Sequence, residues 1–198
     1  MTDVRPIDFL YPPLSPQKPD RGCVLISGPF MHDDYFTRSV VLITEHHEEG
    51  TVGFVLNNFA PRRLEVAVEQ ETEIKGLISI GGPVEPQMLC FLHTAGNVIP
   101  DAEHVTGNIF SGGNFREVKK MLKNGTLDYS QFRFFMGYAG WSIGQLEDEI
   151  AENSWVLAGH IPDELLFSPN KNLWTLAVHT LGQSYRAWLH APLDPSLN

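Results

Sequence analysis

Residues 39–57 read SVVLITEHHEEGTVGFVLN, and this stretch decides the fold class. The run from Ser39 to Thr44 is apolar without alternation, which is typical of a strand that is covered on both faces. A second apolar run begins at Thr51, and the predicted five-residue loop before it, 46–50, ends in glycine. A short loop with glycine between two apolar runs predicts a β-hairpin. We therefore expect a sheet that is packed on both sides.

Further strand signals lie on either side of this hairpin. They are the apolar runs at residues 22–27, 77–80, 88–93, 132–137 and 155–158. The strands come first and are then mixed with helices, without a repeating βαβ unit. This order favours an α+β fold over a doubly wound α/β fold.

Three helices carry start signals. Asn114 stands three residues before Glu117, which resembles a capping box, and Asn124-Gly125 predicts the end of that helix. Ser142 with Gln145 is a capping box, and the neighbouring Trp141 and Leu146 are spaced as a hydrophobic staple. Ser168-Pro169 predicts the start of a third helix, because proline is favoured at the first helical position.

The composition excludes several classes of protein. The chain has 198 residues, 42% of them hydrophobic, which is enough for a core and excludes a disordered chain. Its net charge of −10 repels phosphate backbones and anionic membrane surfaces. We therefore expect no membrane association and no direct nucleic-acid binding.

The chain is expected to form one cytoplasmic domain. Residues 1–20 hold five prolines and predict an extended N-terminal arm, which leaves residues 21–198 as a single domain. Cys23 and Cys90 lie in apolar runs and no CxxC spacing occurs, so we interpret both as buried free thiols. The start resembles no signal peptide, and no run of 18 apolar residues occurs.

No metal, cofactor or catalytic group is predicted. The cluster at residues 45–49 is the most metal-like, but His46 and His47 are adjacent, and neighbours on a strand point to opposite faces. A solvated hairpin tip is the preferred interpretation. Motifs for a serine or cysteine nucleophile are missing.

The first candidate ligand-binding group surrounds Arg38. This arginine precedes the buried strand, and Asp33 and Glu45 are near it in sequence. A buried arginine requires a partner. A structural ion pair and an arginine that anchors a ligand both fit this position.

The second candidate group is the glycine-rich turn before the helix that starts near Ser142. It contributes Tyr138, Gly140, Trp141 and Gln145, together with N–H groups that could bind an anion. The alternative is that the glycines make a tight turn and that Trp141 only staples the helix. If this turn and Arg38 converge, they could hold one polar or anionic ligand.

A basic stripe is the remaining motif. It consists of Arg116, Lys119, Lys120 and Lys123, opposite the apolar face of the same predicted helix. A solvated helix face is the simplest interpretation. An acidic partner or a nucleic-acid backbone is the alternative.

Several strings, in this order, match a known pattern. They are Gly28-Pro29-Phe30-Met31, Asp33, Phe36, Arg38-Ser39-Val40-Val41-Leu42, Glu45-His46, Gly50, Gly53-Phe54-Val55-Leu56-Asn57, Gly81-Gly82-Pro83-Val84, Leu92-His93, Gly137-Tyr138-Ala139-Gly140-Trp141-Ser142, Gly144-Gln145-Leu146-Glu147, Glu149-Ile150, Asn153 and Trp155. Together they resemble the YqgE/AlgH family over nearly the whole domain. Asn58-Phe59 departs from the pattern, which commonly has Arg or Lys followed by Pro.

The resemblance implies a bacterial, cytoplasmic protein of a family labelled as transcriptional regulators. It also implies an α+β fold in which a bent mixed sheet closes into a pseudo-barrel with helices packed around it. The family supplies no established catalytic residues to carry over. The leading hypothesis is thus a non-enzymatic regulator that binds a small molecule or a protein partner. An enzyme with a carboxylate–arginine site is the alternative, and a direct DNA-binding regulator is the third.

Overall fold

The computed structural model describes residues 18–31, 33–158, 167 and 169–192. The strands are β1 Val24–Ser27, β2 Val40–His47, β3 Gly50–Val55, β4 Ile78–Ile80, β5 Val84–His93, β6 Glu103–Thr106, β7 Ile109–Ser111, β8 Phe132–Trp141 and β9 Trp155–Ala158. The helices are α1 Arg62–Thr72, α2 Phe115–Lys123, α3 Gln145–Ala151 and α4 Leu173–Thr180, with 3₁₀ helices at Gly96–Val98, Tyr129–Gln131 and Gln183–His190. Residues 1–17 of the predicted N-terminal arm lie outside the described residues.

One mixed sheet contains all nine strands, in the order β6-β7-β5-β8-β3-β2-β1-β9, and β4 pairs with β8 beside this path. Only the β4–β8 pair is parallel among these ladders. The predicted hairpin is β2–β3, whose ladder joins His47 to Gly50. The α+β fold class is therefore confirmed.

The ten-residue strand β8 holds the two halves of the sheet together. Its first half pairs with β4 and β5, and its last residues, from Ala139 to Trp141, pair with β3. Between these halves Gly137 has a φ of 68°, a left-handed conformation that glycine adopts without strain. A Cβ on Gly137 would lie 2.7 Å from the carbonyl oxygen of Gly82. The Gly82 and Gly137 backbones therefore approach each other too closely here for a side chain on Gly137.

The expected closure into a pseudo-barrel is not confirmed. Within the described residues the sheet ends at β6 on one side and at β9 on the other, and these two strands do not pair. Both ends still contribute to one apolar core, which includes Val105 from β6 and Val156 from β9. Trp174 and Trp188 complete this core from α4 and the last 3₁₀ helix. Side chains from these helices therefore cover the core that a closed ladder would otherwise enclose.

A side-chain contact joins the segment before β1 to the edge strand β6. Arg21, just before β1, donates to the carbonyl oxygen of His104 at 3.1 Å and to Glu103 Oε2 at 3.1 Å. Both partners lie on the edge strand β6. The segment before β1 thus lies against β6 without forming a ladder with it.

The helix predictions are confirmed in part. Asn114 Oδ1 accepts the N–H of Glu117 at 3.3 Å, so α2 has the predicted cap and ends at Lys123. At the second helix the Ser142 N–H donates to Gln145 Oε1 at 2.9 Å, but α3 begins only at Gln145, after a Gly144 cap. Ser142 therefore starts the turn before the helix and not the helix itself.

Two helices differ from the sequence prediction. The third predicted helix, α4, begins at Leu173, because Asn170 Oδ1 accepts the N–H of Asn172 at 2.9 Å and holds a turn there. Helix α1 was not predicted, since its sequence is mostly polar. No helix in the described part of the chain is long and apolar enough to cross a bilayer.

Candidate functional site

Arg38 lies beside the carboxyl-terminal segment. Its backbone is left-handed, with a φ of 48°, and its Nη2 donates to the carbonyl oxygen of Ala191 at 2.6 Å. The guanidinium lies 5.1 Å from the centroid of the Trp174 ring. Within the described residues Arg38 forms no ion pair with Asp33 or Glu45. Arg38 therefore ties the start of β2 to α4 and to the segment after it.

Asp33 closes a turn. Its Oδ1 accepts the N–H groups of Tyr35 at 2.8 Å and Phe36 at 3.1 Å, and its carbonyl oxygen accepts the Thr37 hydroxyl at 2.7 Å. A carboxylate that bonds the backbone two and three residues ahead is ordinary turn chemistry. In this structure Asp33 therefore shapes the loop that leads to Arg38.

Trp141 and Gln145 belong to a half-buried hydrogen-bond network around Glu149. The indole N–H groups of Trp141 and Trp155 both donate to Glu149 Oε2, at 2.9 and 2.8 Å, and Gln145 Nε2 donates to Oε1 at 2.9 Å. The Phe36 ring contacts both indoles. Trp141 and Leu146 share this apolar cluster, as the staple predicts. Glu149 on α3 is thus joined by hydrogen bonds to two strands of the sheet, β8 and β9.

The structure does not bring Arg38 and Trp141 together. Trp174, which Arg38 covers, belongs to the large core, whereas Trp141 belongs to the cluster that contains Leu25. Leu25 and its neighbour Val24 on β1 belong to different clusters, as side chains on opposite faces of a sheet must. The joint site expected from these two residues is not formed.

Glu45 and Tyr138 do meet, in a cavity of about 500 Å³. Strands β2 and β3 form one wall, β5 forms another, and the segment from β7 to the start of α2 forms a third. The lining residues are Glu45, Val52, Phe54, Glu85, Met88, Leu89, Cys90, Phe91, Ser111, Gly112, Gly113, Phe115 and Tyr138. Gly140 lies beside the cavity, because a Cβ there would contact the Tyr138 ring at 3.4 Å.

The bulge in β5 places Glu85 at the cavity. The β5–β8 register shifts between Val84 and Leu89, and Glu85 has a φ of 44°. A positive φ in a residue other than glycine costs energy, so the surrounding structure must hold it there. The bulge thereby presents Glu85 and Met88 to the same cavity as Cys90.

The cavity is electrostatically negative. Burial, reinforced by the charges of Glu85 and Glu45, raises the pKa of the Cys90 thiol to about 11. Burial also raises the pKa of Tyr138, with further contributions from Glu85, Cys90 and Glu45. Both groups are therefore neutral at pH 7, and Cys90 is a poor nucleophile there because the thiolate is the reactive form.

We expect alkylation of Cys90 by iodoacetamide at pH 8 to be at least about a hundredfold slower in the folded protein than in the urea-unfolded chain, because so little thiolate forms below a pKa of 11. The measurement is the modified fraction of the Cys90 peptide by mass spectrometry. The folded rate should rise with pH up to about 11. Glu85→Gln should move that rise to lower pH, because the Glu85 charge is one cause of the raised pKa. A folded rate equal to the unfolded one at pH 8 would contradict this assignment.

A buried arginine supports the sheet beneath the cavity. Arg133 on β8 is fully buried, and its Nη2 donates to the carbonyl oxygen of Leu56 and to Ser79 Oγ. The guanidinium lies 5.6 Å from the centroid of the Phe59 ring and 5.2 Å from that of Phe135. Burial lowers its pKa to about 9, so the side chain stays protonated at pH 7. Arg133 joins β8 to β4 and to the end of β3.

The cluster at residues 45–49 lies beside the turn at residues 142–144. A groove of about 720 Å³ separates them. His46 Nδ1 is 2.8 Å from Thr51 Oγ1, and its Nε2 is 3.8 Å from Glu147 Oε1. Among the residues with described positions, no three histidine, cysteine or acidic side chains are grouped so that they could hold a metal ion.

Fold and cavity together define an α+β protein, built on one open mixed sheet, with an acidic cavity beside the central strand. A family model of AlgH-like proteins matches residues 24–186, and the chain belongs to this family. The chain is 39% identical to a UPF0301 protein of Parabacteroides distasonis over 91% of its own length and 92% of that protein. It is 32% identical to a UPF0301 protein of Cytophaga hutchinsonii, over 90% and 98% of the two lengths.

Two solved structures have the same fold. A crystal structure of a Corynebacterium diphtheriae protein superposes with a TM-score of 0.73 at 23% identity, covering 88% of this chain and 94% of that one. The solution structure of AlgH from Pseudomonas aeruginosa superposes with a TM-score of 0.67 at 27% identity, covering 86% and 94%. The resemblance drawn from the sequence strings is confirmed.

Proposed function

We propose that this protein is a non-enzymatic binding protein, and that its cavity takes a small organic molecule with an apolar body and one positively charged group. The observation that carries the proposal is the cavity of about 500 Å³ with aromatic walls and two carboxylates. Its volume lies in the range of small-molecule sites, roughly 300–1,000 Å³. An amine or a guanidine on an aromatic or aliphatic body has the matching chemistry.

The apolar body of the ligand would be held by the walls. Phe54, Phe91 and Phe115 come from three different elements, and Met88 adds a flexible side chain that is 49% exposed. Aromatic faces attract both apolar groups and cations. A flexible methionine adapts to ligands of different shape. These walls therefore suit a compact hydrophobic cation better than a sugar or a free anion.

The positive group would be held by Glu45 and Glu85. Among the residues that the structure describes, no lysine, arginine or histidine lines the cavity. Within the described residues, neither carboxylate has a hydrogen bond or ion pair to a side chain. A bound cation would supply the missing opposite charge and would be held more strongly than in water because the apolar walls lower the local dielectric constant.

A regulatory role in the cytoplasm is part of this proposal, in line with the label carried by the family that the sequence resembles. Ligand binding would act through a protein partner, since the net charge of −10 gives no help to DNA binding. The carboxylate–arginine enzyme has less support, because Arg38 donates to the Ala191 carbonyl oxygen and not to a carboxylate.

We expect 2-phenylethylamine to bind and to raise the melting temperature, whereas 2-phenylethanol, which has the same body without the charge, should bind at least about tenfold more weakly. Changing both Glu45 and Glu85 to glutamine should weaken amine binding about tenfold or more, since loss of two charge-assisted contacts is worth about 1.4 kcal/mol or more. Isothermal titration calorimetry measures both effects.

Glu48→Gln is the matched control, because Glu48 is an exposed acid on the same hairpin that does not line this cavity. It should leave amine binding unchanged. Equal affinity for the amine and the alcohol, or an unchanged affinity in the double variant, would overturn the proposal for the positive group. Failure of both compounds and of longer amines to bind would overturn the cavity as a ligand site.

A further inference from the structure

We propose that a second cleft, whose excess charge is opposite to that of the acidic cavity, binds a compact polyanion that carries phosphate groups. This inference goes beyond the proposed function and does not depend on it. The cleft has a volume of about 450 Å³ and lies between the end of α1 and α2. Its lining residues are Glu69, Glu73, Ile74, Lys75, Lys119, Lys120, Lys123 and Tyr129.

Two separate elements deliver the lysines to this cleft. Lys75 follows α1, and Lys119, Lys120 and Lys123 lie on α2. The opposite face of α2 is fixed in the core through Val118 and Leu122, so the lysine face is directed away from the core. The basic stripe recognised in the sequence is therefore one wall of a concave site and not only a solvated helix face.

The positive charges are available to a ligand. Lys75 and Lys120 form only long contacts, to Glu69 at 3.6 Å and to Glu117 at 3.5 Å, and both lysine side chains are about 70% exposed. Exposed pairs of this kind are weak, so a ligand with higher charge can replace them.

The other two lysines have no carboxylate partner within the described residues. Lys119 Nζ lies 5.6 Å from the Phe115 centroid, and Lys123 forms no ion pair. Four lysines thus face two glutamates in the cleft, in a chain whose net charge is −10.

Size and shape favour a small phosphate compound over a duplex. Four lysines against two glutamates leave the concave site with an excess of positive charge, which attracts anions into it. Lysine ammonium groups bind phosphate as point charges and need no fixed angle. A cleft of about 450 Å³ accommodates a pyrophosphate or a nucleoside triphosphate. The Tyr129 ring, whose hydroxyl donates to the Glu73 carbonyl oxygen at 3.3 Å, supplies an aromatic wall.

The test is isothermal titration calorimetry of the full chain at low ionic strength with inorganic pyrophosphate, ATP and a short DNA duplex. We expect pyrophosphate and ATP to bind and the duplex to bind more weakly than either. Lys119→Gln and Lys123→Gln should each weaken binding about tenfold, which is typical for loss of one charge-assisted contact. Lys171→Gln is the control, because Lys171 is exposed and does not line the cleft.

Each outcome decides the matter. Tighter binding of ATP than of pyrophosphate supports the site and indicates a nucleotide, and equal binding supports it and indicates the phosphates alone. No binding of either compound, tighter binding of the duplex, or an equal loss in Lys171→Gln would overturn it. Lys123 is exposed, so that variant is expected to keep the fold, and its far-ultraviolet circular dichroism spectrum checks this.

Discussion

Gly81→Ala is expected to destabilise the protein by about 3 kcal/mol or more, because overpacking against rigid backbone is among the most damaging core changes. A Cβ on Gly81 would lie 2.2 Å from the carbonyl oxygen of Gly137, and 3.0 and 3.1 Å from Phe54 Cδ1 and Phe135 Cβ. The Gly81 N–H donates to the Met136 carbonyl oxygen at 2.9 Å, and the Gly81 carbonyl oxygen accepts the Val55 N–H at 2.9 Å, so this segment cannot move without breaking hydrogen bonds. Urea unfolding followed by circular dichroism measures the loss.

Gly140→Ala is the matched control. Gly140 lies on the same strand as Gly137, but the nearest atom to its Cβ would be Tyr138 Cε2 at 3.4 Å, an ordinary contact with a side chain. We expect a change below about 1 kcal/mol, the range of surface and well-tolerated substitutions. Equal stability of the two alanine variants would contradict the argument that close backbone approach excludes a side chain at Gly81.

Glu149→Ala is expected to destabilise the protein by about 3 kcal/mol, because two indole N–H groups would lose their acceptor at once, and each unsatisfied buried donor costs roughly 1–3 kcal/mol. The donors are Trp141 and Trp155, which are 6% and 1% exposed. Chemical unfolding gives the change in free energy. The same variant should increase hydrogen exchange in α3, since Glu149 joins that helix to the sheet.

Two further variants distinguish loss of the hydrogen-bond acceptor from a change in helix propensity. Glu149→Gln keeps an oxygen acceptor and should lose about 1 kcal/mol, the net value of a typical hydrogen bond. Glu147→Ala removes a half-exposed acid two residues earlier on the same helix and should change stability by less than about 0.5 kcal/mol. An equal loss in Glu147→Ala and Glu149→Ala would point to helix propensity as the cause.

The local parts of the fold could be predicted from the sequence because their signals are local. The unbroken apolar run from Val40 to Ile43 indicates a strand buried on both faces, and all four residues are fully buried. The Asn114 cap of α2 was equally readable. Helix α1 could not be predicted in this way. Its apolar contacts, such as Leu64 and Val68, span about one helical turn, and the residues around them are mostly charged or polar.

The candidate site could be predicted only in part, because it depends on a bulge. Tyr138 and Glu45 were among the predicted residues, and the cavity brings these two together. Glu85 was missed because Pro86 interrupts the strand pattern, and no periodicity predicts a register shift between β5 and β8. Cys90 was predicted as a buried thiol. Its position beside two carboxylates follows from long-range pairing that a local pattern cannot give.

The contact that Arg21 makes with β6 has a consequence for behaviour at high protein concentration. An open sheet leaves two edges whose unpaired backbone groups can recruit a strand from another molecule, which is a route to aggregation. At one end all four residues of β9 are buried, and at the other a charged side chain and the Gly22 backbone lie against β6. A long cationic side chain on an edge is a known guard against such recruitment. Within the described residues the sheet is therefore open, yet both of its edge strands are covered.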